Sequence, residues 1–599
     1  MKKSINRNIL WAQIFASQLD KCGLKNVCFS PGSRSTPLTF AFASRKKIKT
    51  HIIIDERSSG FFALGLAKKL HQPVALVTTS GTAVAELYPA IVEAYQSRIP
   101  LIICTADRPP NLRFSGANQT INQENIFVNH IRMFTDLGMP SLSKHKLNEL
   151  KHATVKGYSI ANTINPGPVH FNLPFEKPFE PDSITDKIDP QKLMESKTLL
   201  KNSVQKIDRA SERNNKNLLD KLLRLIGGSN NGIIYCGPGF YTSEFVKECD
   251  SLSKKINFPI FADGASNFRF LKSSNKNIVN NFSNIFRKKE IRKAFDADVI
   301  IQFGKAPTSQ GMLVYFEETS GKKFLVNEFG DLHDPSLSTS GVFNMKPIEF
   351  CKILKSKFAK NNFEKNDSLL SSLPKLDREI ELIKNEFLTK SKFPFEGKII
   401  YEIANSISVN HNLMVSNSLP IRDLDFFVSQ SAAKINLYSN RGASGIDGIT
   451  STTMGIAKGA AEPTILVTGD LAFFHDLNGL ALHKHSEIPL TIVLVNNNGG
   501  GIFEMLPIAK HSNIFNRYFK TPHNLSFRDF VIGFGGTHYV IKSWKDLRDK
   551  LSSSLNNSKL NVLEIKTDSA QSLKLRNEFW DLVNSKCTRF INEFNKANN

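Results

Sequence analysis

Short apolar runs alternate with amphipathic helical stretches along most of this chain of 599 residues. In the first third, the expected strands are 27–29, 51–54, 73–77 and 100–104, and the expected helices between them are 60–70 and 83–96. Buried strands separated by helices of about 10–15 residues predict a parallel sheet that is covered on both faces. Residues 165–174 are expected to hold the last strand of this sheet and its exit.

The alternation recurs twice further along the chain. Residues 232–239 and 297–304 indicate a second α/β unit, and the expected strands of a third are 464–467, 490–495 and 562–565. Residues 183–215 are polar and rich in lysine, which is typical of a linker, and the charged stretch 356–395 predicts a partly helical connector. Because one hydrophobic core does not grow to this length, we expect three doubly wound parallel-sheet domains of the α/β class, at 1–182, 216–355 and 396–599.

Composition limits the classes of function. The formal net charge is +23, but the lysines are spread along the chain and no nucleic-acid recognition motif accompanies them. We therefore expect a solvated basic surface and small anionic substrates, and no nucleic acid. No run of about 18 uncharged apolar residues appears, so no membrane span is expected. The seven cysteines are scattered without a CxxC pair, which predicts free thiols and a cytoplasmic location.

The third unit contains the pattern that carries the most chemical information. One of its strands runs into Gly469 and Asp470, and the next strand ends at Asn497. In a parallel sheet both strand ends lie at the same carboxyl edge, where α/β folds bind ligands. A carboxylate and an amide oxygen suit Mg²⁺, whose coordination phosphate oxygens complete, and the glycine-rich loop that follows offers the carbonyl of Gly499 as a third ligand. Gly469 lets the backbone approach a phosphate closely.

Each of these turns is common by itself, since Gly-Asp and Asn-Gly occur at many strand ends. Together, at consecutive strand ends, they resemble the signature of the thiamine diphosphate-dependent enzymes. The resemblance covers nearly the whole chain, is thinnest at 183–400, and is carried by the segments 30–38, 55–57, 79–83, 105–110, 116–119, 439–448 and 496–503. It implies a pyrimidine-binding domain at the start of the chain and a diphosphate-binding domain at its end. The middle domain resembles the nucleotide-binding fold of some relatives, but no GxGxxG follows a strand there, so we expect it to be structural and without a nucleotide.

The resemblance implies thiamine diphosphate as the cofactor, with Mg²⁺ or, in its place, Mn²⁺. Glu56 would be the catalytic acid that protonates the pyrimidine ring, although an acid is also favourable there simply because a helix begins. The implied metal ligands are Asp470, Asn497 and Gly499, and the residues in contact with the cofactor are Glu56, Ser418, Gly445, Ile446, Gly469, Asp470, Leu471 and Asn497. A homodimer or homotetramer is implied, in which Glu56 of one subunit acts on cofactor held by its partner.

One branch of the family fits the arginines of this chain. In that branch 2-oxoglutarate loses carbon dioxide and its succinyl unit is added to isochorismate, a step of menaquinone and phylloquinone biosynthesis. Because both substrates carry two carboxylates, the site needs fixed cations, and arginine can donate two parallel hydrogen bonds to a carboxylate. The cations expected to bind substrate are Arg34, Arg108, Arg422 and Arg441. The resemblance also implies hydrogen bonds to substrate from Ser33 and Gln119 and an apolar wall of Ile502, Phe503 and Leu506.

The resemblance is incomplete in the middle domain. Gln310 stands where the family carries a lysine, and Lys305 is offset from that place. Two alternatives stay open at this point. One is another thiamine diphosphate enzyme, such as an acetolactate synthase or a 2-oxo acid decarboxylase. The other is a non-catalytic protein that keeps the fold and binds nucleic acid with its basic surface.

Overall fold

The computed structural model describes residues 6–182, 216–229, 231–358, 368–407, 410–430 and 435–598. These residues form two compact units, one of residues 6–182, 440–461 and 472–489 and the other of the remaining described residues. The linker predicted at 183–215 lies outside the described residues, and the domain boundaries stay a prediction. None of the described helices combines the length and the apolar character that a membrane crossing requires.

The first unit contains a sheet of six parallel strands. They are β1 (Asn26–Phe29), β2 (Lys49–Ile52), β3 (Val74–Thr78), β4 (Leu101–Asp107), β5 (Met133–Asp136) and β6 (Val169–Pro174). Every residue of β3 and β4 is buried, as expected for strands that are covered on both faces. The spatial order is β2-β1-β3-β4-β6-β5, so the strand order changes direction between β1 and β3, a position beside which open α/β sheets commonly bind ligands.

The second unit contains two further sheets of six parallel strands. One comprises β7 (Gly232–Cys236), β8 (Ile260–Ala262), β9 (Ile278–Val279), β10 (Val299–Phe303), β11 (Lys322–Asn327) and β12 (Thr339–Asn344), in the order β12-β11-β10-β7-β8-β9. The other comprises β13 (His411–Val415), β14 (Ile435–Tyr438), β15 (Thr464–Gly469), β16 (Leu490–Asn496), β17 (Thr537–Val540) and β18 (Leu560–Lys566), in the order β14-β13-β15-β16-β18-β17. The predicted fold class, three doubly wound parallel sheets, is confirmed.

Helices connect the strands. In the first unit they are Arg7–Cys22, Thr36–Ala43, Glu56–Leu70, Thr82–Ala85, Tyr88–Ser97, Lys144–Ser159, Ile449–Gly459 and Ala481–Ser486, and Asp470–His475 contains residues of both units. In the second unit they are Lys216–Gly227, Ser243–Ile256, Phe282–Ile285, Lys289–Ala294, Gln310–Glu318, Pro347–Lys357, Leu373–Lys390, Glu396–Ser406, Leu419–Phe427, Ser512–Phe515, Phe527–Gly533, Trp544–Leu555 and Ser569–Asn598. The connector predicted at 356–395 is partly helical, as expected; residues 359–367 lie outside the described residues.

The prediction was wrong about where the strand before Glu56 ends. The strand expected at 51–54 ends at Ile52, and the helix begins at Glu56 itself rather than near residue 60. The cause is the side chain of Asp55, which accepts a hydrogen bond from the Ser58 amide at 3.0 Å and so caps the helix one turn earlier.

The helix that begins at Glu56 is fixed by very close packing against helix Ile449–Gly459, in the same unit. A Cβ added at Gly65 would lie 1.9 Å from the carbonyl oxygen of Thr452, and one added at Gly455 would lie 2.0 Å from a backbone oxygen. Only glycine lets the two backbones approach so closely. The direction of the helix that presents Glu56 is therefore set by backbone contact.

Candidate active site

The residues predicted for the site occur in both units, mainly in loops after the carboxyl ends of parallel strands. The first unit holds Ser33, Arg34, Glu56, Arg108, Gln119, Arg441, Gly445 and Ile446. The second holds Ser418, Arg422, Gly469, Asp470, Leu471, Asn497, Gly499, Ile502, Phe503 and Leu506. Such loops are where open parallel sheets bind ligands.

Asp470 lies at the carboxyl end of β15, beside the end of β16. The two strands pair in parallel as far as Gly469 and Val495. Oδ2 of Asp470 accepts a hydrogen bond from the Gly499 amide at 2.9 Å, and Oδ1 accepts one from the Leu471 amide at 2.7 Å. Gly499 has a φ of +138°, which glycine adopts readily. The structure thus brings Asp470 together with the loop that follows Asn497.

The side chain of Asn497 is oriented by a buried carboxylate. Its Nδ2 donates a hydrogen bond to Oε1 of Glu396 at 3.0 Å, and the Thr567 hydroxyl donates to the same oxygen at 3.0 Å. Oδ1 of Asn497 is buried and accepts no hydrogen bond from any described residue. Because a buried amide oxygen without a partner is unfavourable, this place suits a ligand that the oxygen can bind.

This set of donors fits a small divalent cation. Burial is the main cause that raises the pKa of the Asp470 carboxyl, and its hydrogen bonds act in the opposite direction. A neighbouring cation would favour the ionised carboxylate, and carboxylate, amide and carbonyl oxygens are ligands that Mg²⁺ and Mn²⁺ accept. Among the described residues no group of three or more His, Cys, Asp or Glu could hold a metal, which is compatible with a set containing one carboxylate, one amide and one backbone carbonyl.

One residue at this site was not predicted. His523 places Nε2 3.2 Å from Oδ2 of Asp470. The carbonyl of the neighbouring Asn498 side chain accepts hydrogen bonds from the amides of His523 and Asn524 at 3.1 and 2.8 Å. No sequence signal identified His523, because its segment has neither strand nor helix periodicity and the contact joins two distant parts of the chain.

The last residue of β15, Gly469, has open space beside its backbone. A Cβ added at Gly469 would meet no heavy atom within 4 Å. Ser418 lies at the same edge, since β13 and β15 pair directly, and it precedes helix Leu419–Phe427 with a φ of +74°. One turn into that helix, Arg422 turns back so that Nη1 donates to the Ser418 carbonyl at 2.7 Å. Gly469, Ser418 and Arg422 thus belong to one edge of the third sheet.

The predicted apolar wall follows the loop after Asn497. Ile502 and Phe503 lie in the 3₁₀ helix Gly501–Met505 and are half-buried, and Phe503 meets Phe519 edge to face with ring centroids 5.7 Å apart. Leu506 is 48% exposed. The segment therefore leaves apolar surface uncovered in the single chain.

In the first unit, Glu56 is partly buried at the beginning of its helix. Burial is the main cause that raises the pKa of its carboxyl. A backbone hydrogen bond opposes the rise, and the nearby carboxylates of Asp55 and Glu86 add to it. A raised pKa favours the protonated acid, the form from which a proton can be donated.

Arg34 and Arg108 form a pair of cations at the carboxyl edge of the first sheet. Burial and the charge of Arg108 lower the pKa of Arg34 to about 10. Nη1 of Arg34 donates to the Phe175 carbonyl, whereas its buried Nε has no partner among the described residues. Arg108 donates to the Ser80 hydroxyl at 2.7 Å and to the Asn118 carbonyl. Two guanidinium groups whose charges act on each other, one of them with an unmatched N–H, suit an anionic ligand.

Ser33 and Gln119 belong to the same group of loops. Ser33 is exposed and begins a short 3₁₀ helix in the connection that follows β1. Gln119 has a φ of +56° and lies against the turn at Gly81, where an added Cβ would be 2.9 Å from Cγ of Gln119. The Ser80 hydroxyl, which Arg108 contacts, donates to the Gln119 carbonyl at 3.0 Å. The structure therefore brings Gln119 and Arg108 together.

The loop 440–448 is anchored within the first unit by two charged residues that were not predicted, the buried Glu93 and the largely buried Lys68. Glu93 accepts hydrogen bonds from two backbone amides of the loop at 2.9 and 2.7 Å. Lys68 donates to Asn440 at 2.6 Å and lies 3.6 Å from Glu93. These contacts fix the loop that carries three predicted site residues, namely Arg441, Gly445 and Ile446.

The segment in which the sequence lacks the expected middle-domain lysine begins a helix. Gln310 is the first residue of helix Gln310–Glu318 and is exposed. Lys305 lies in the loop after β10, where its backbone carbonyl accepts a hydrogen bond from the Gln302 side chain at 3.4 Å. The residue at the start of this helix therefore cannot supply a positive charge.

Comparison with known proteins gives a consistent result. The family model for the N-terminal TPP binding domain of thiamine pyrophosphate enzymes matches residues 11–126, and the model for their C-terminal TPP binding domain matches residues 434–565. Relatives named 2-succinyl-5-enolpyruvyl-6-hydroxy-3-cyclohexene-1-carboxylate synthase match over almost their whole length. That of Trichodesmium erythraeum is 36% identical, over 94% of this chain and 96% of the relative. Those of Bacillus cytotoxicus and Geobacillus kaustophilus are 34% and 35% identical, over 94% and 96% of this chain and 95% and 97% of the relatives.

Proposed function

The chain belongs to the family of 2-succinyl-5-enolpyruvyl-6-hydroxy-3-cyclohexene-1-carboxylate synthases, and from this we infer that it is a thiamine diphosphate-dependent transferase of menaquinone or phylloquinone biosynthesis. It removes carbon dioxide from 2-oxoglutarate and adds the succinyl unit to isochorismate. The observation that best supports this function concerns the ends of the neighbouring strands β15 and β16. There Asp470 binds the Gly499 amide, and the buried amide oxygen of Asn497 has no partner among the described residues.

Thiamine diphosphate, when bound, supplies a carbon nucleophile for the ketone and accepts the electrons that remain when carbon dioxide leaves. We propose that Gly469 admits its diphosphate, because the backbone there is open to a large neighbour. Glu56 holds a proton towards the pyrimidine ring, which its raised pKa supports. The other residues proposed to contact the cofactor are Ser418, Gly445, Ile446 and Leu471.

We propose that Mg²⁺, or Mn²⁺ in its place, binds to the Asp470 carboxylate, the Asn497 amide oxygen and the Gly499 carbonyl. Each supplies a hard oxygen ligand, and Mg²⁺ commonly binds few protein ligands together with phosphate oxygens. Burial of Asp470 supports the proposal, because a buried carboxylate is stabilised by a nearby cation.

We propose that four arginines bind the substrate carboxylates, with Ser33 and Gln119 as hydrogen-bonding partners. The pair of Arg34 and Arg108 supports this, because the repulsion between their positive charges would be relieved by an anion. The other two are Arg422 and Arg441. The apolar Ile502, Phe503 and Leu506 would exclude water, which could otherwise protonate the succinyl unit before its transfer.

We propose that the active enzyme is a homodimer or a homotetramer. In it Glu56 acts on cofactor bound to the partner's Asp470 and the partner's Asn497. The two large apolar residues just before this acid, Ile52 and Ile54, are 66% and 68% exposed, and a partner subunit would cover them.

A cytoplasmic location is proposed because all seven cysteines are free thiols, which is typical of a reducing compartment.

One assay tests the function. The purified protein is incubated with thiamine diphosphate, Mg²⁺, 2-oxoglutarate and isochorismate, and each component is omitted in turn. We expect a product with an absorbance unlike that of isochorismate only in the complete mixture. Acetolactate formed from pyruvate, or aldehyde released without isochorismate, would indicate another thiamine enzyme. Salt-sensitive retention on DNA without decarboxylation would indicate a nucleic-acid-binding protein.

A further inference from the structure

The side chain of Asn497, a predicted metal ligand, is hydrogen-bonded to a buried network of charged residues. Arg576, in the C-terminal helix, is 1% exposed and donates through Nη2 to Oε2 of Glu396 at 3.0 Å. It also donates through Nε and Nη2 to the two carboxylate oxygens of Asp423 at 3.0 and 2.6 Å. The other oxygen of Glu396, Oε1, accepts from Nδ2 of Asn497 at 3.0 Å. One guanidinium group therefore holds the carboxylate that contacts Asn497.

The network determines which end of the Asn497 amide faces the cation. An amide has a donor end and an acceptor end of nearly the same size, so its orientation is decided by its hydrogen-bond partners. A carboxylate accepts and cannot donate when ionised, so Glu396 can only bind the Nδ2 end. The Oδ1 end must then point away from Glu396, and it is this buried oxygen that lacks a partner among the described residues.

We propose that Glu396, held by Arg576, is a positioning residue that keeps the oxygen of Asn497 turned towards the divalent cation, an inference that rests on the proposed metal site. Residues that orient metal ligands commonly change metal affinity by about 10–100-fold when they are altered. Glu396 and Arg576 touch neither substrate nor cation in this role. They act through Asn497 alone.

The test replaces Glu396 by glutamine, which keeps the shape and removes the charge. The oxygen of the new side chain would face Arg576, and its amide group would face Asn497. Two donors cannot face each other, so Asn497 would turn its nitrogen towards the cation. In Glu396→Gln we expect the Mg²⁺ dissociation constant, measured by titration calorimetry in saturating thiamine diphosphate, to rise about 10–100-fold.

In the Asn497→Asp variant, the same Glu396→Gln substitution is expected not to weaken Mg²⁺ binding. In Asn497→Asp both ends of the side chain are oxygens, so orientation no longer matters, but residue 497 and Glu396 repel each other. Adding Glu396→Gln to Asn497→Asp gives a donor facing an acceptor. We expect the double variant to bind Mg²⁺ at least as tightly as the Asn497→Asp variant. Without ligands, it should also melt at a higher temperature than the Asn497→Asp variant, because the repulsion between the two carboxylates is removed.

Asp423→Asn is the matched control. It weakens an ion pair to the same buried Arg576 but leaves the contact between Glu396 and Asn497 in place. We expect both Asp423→Asn and Glu396→Gln to lower the melting temperature, because each weakens an ion pair with Arg576. In Asp423→Asn, however, the Mg²⁺ dissociation constant should stay within about twofold of the wild-type value. If Glu396→Gln does not fold, Arg576→Lys, which keeps the positive charge but not the planar fork, is expected to weaken Mg²⁺ binding several-fold.

Three results would overturn the inference: unchanged Mg²⁺ affinity in the folded variant, equal weakening in Glu396→Gln and Asp423→Asn, or the same weakening by Glu396→Gln in the wild-type and Asn497→Asp backgrounds. Failure of the metal site itself looks different. In that case the wild-type protein would bind thiamine diphosphate without any dependence on Mg²⁺.

Discussion

His523 donates a hydrogen bond to Asp470. The imidazole Nδ1 accepts the Leu525 amide at 3.0 Å, so in the neutral ring the proton lies on Nε2, which is 3.2 Å from Oδ2 of Asp470. The same oxygen accepts the Gly499 amide at 2.9 Å. The carboxylate is thus held from two sides, and its orientation is fixed before any cation binds.

Replacing His523 is expected to loosen this arrangement. In His523→Ala, Asp470 loses a donor that aligns it, and the Mg²⁺ dissociation constant should rise about 10-fold or more. His523→Gln retains an N–H donor on a side chain of similar reach and should restore part of the affinity. Titration with Mg²⁺ in the presence of thiamine diphosphate measures both, and wild-type affinity in the alanine variant would contradict the role.

Glu56→Gln is expected to fold and bind the cofactor but to lose turnover by roughly 10²–10⁴-fold, because glutamine cannot transfer a proton. Its melting temperature should not fall, since burial disfavours the charge that the substitution removes. Steady-state kinetics and cofactor titration separate the two effects. A variant with near-normal turnover would exclude Glu56 as the acid.

Arg34→Ala should weaken substrate binding, because a hydrogen-bonded charge is lost from the anion site. Hydrogen bonds to charged groups contribute about 1.5–3 kcal/mol, so KM for the carboxylate substrate that it contacts should rise about 10- to 100-fold. Arg45→Ala is the control: Arg45 pairs with Asp20 at 3.3 Å in the same unit, away from the predicted site. Equal KM changes in the two variants would rule out a specific role.

Replacing Gly65 or Gly469 by alanine is expected to have different effects on stability and on cofactor binding. At Gly65 the added Cβ would lie 1.9 Å from the Thr452 oxygen, so Gly65→Ala should lower the free energy of unfolding by about 1–3 kcal/mol. At Gly469 there is no heavy atom within 4 Å. Gly469→Ala should therefore keep the melting temperature of the apoprotein but bind thiamine diphosphate more weakly. Unchanged cofactor affinity would mean that no phosphate approaches this backbone.

Asp476 should make stability depend on pH. It is buried and accepts hydrogen bonds from the amide and hydroxyl of Ser451 at 2.6 and 2.9 Å, and burial is the main cause that raises its pKa to about 7. A raised pKa means that its stabilising contribution is fully present below the unfolded value, about 4, and is lost as the pH rises through about 7. The melting temperature of the wild type should therefore fall relative to that of Asp476→Asn between about pH 4 and pH 7 and level off above that range. Parallel curves would contradict this.

Local patterns predicted the strand ends well. Asp470 and Asn497 were identified because each follows an apolar run, and parallel strands place such positions at one edge whatever the rest of the fold does. The end of the strand before Glu56 was predicted wrongly, because the capping hydrogen bond of Asp55 outweighs the apolar run of isoleucines at 52–54. Short-range hydrogen bonds of this kind decide helix ends within a residue or two.

The residues that hold the site in place could not be predicted in the same way. Glu93 and Lys68 hold the loop 440–448, yet in the sequence they are ordinary polar residues of amphipathic helices. Glu396 begins the helix that precedes the third sheet in the chain, and Arg576 lies in the helix that follows its last strand. No local sequence pattern indicates that the two side chains meet. Such ion pairs depend on which helices become neighbours.

The sequence by itself determined the fold class, the strand ends at Asp470 and Asn497 and the kinds of ligand atoms available there. These follow from periodicity and turn chemistry, which act over a few residues. Only the tertiary structure decided how the amide of Asn497 is turned, through a carboxylate 101 residues earlier, and which nitrogen of His523 faces Asp470. The physical reason is that hydrogen-bond orientation is set by partners brought together through the order of strands and the packing of helices, which no short segment encodes.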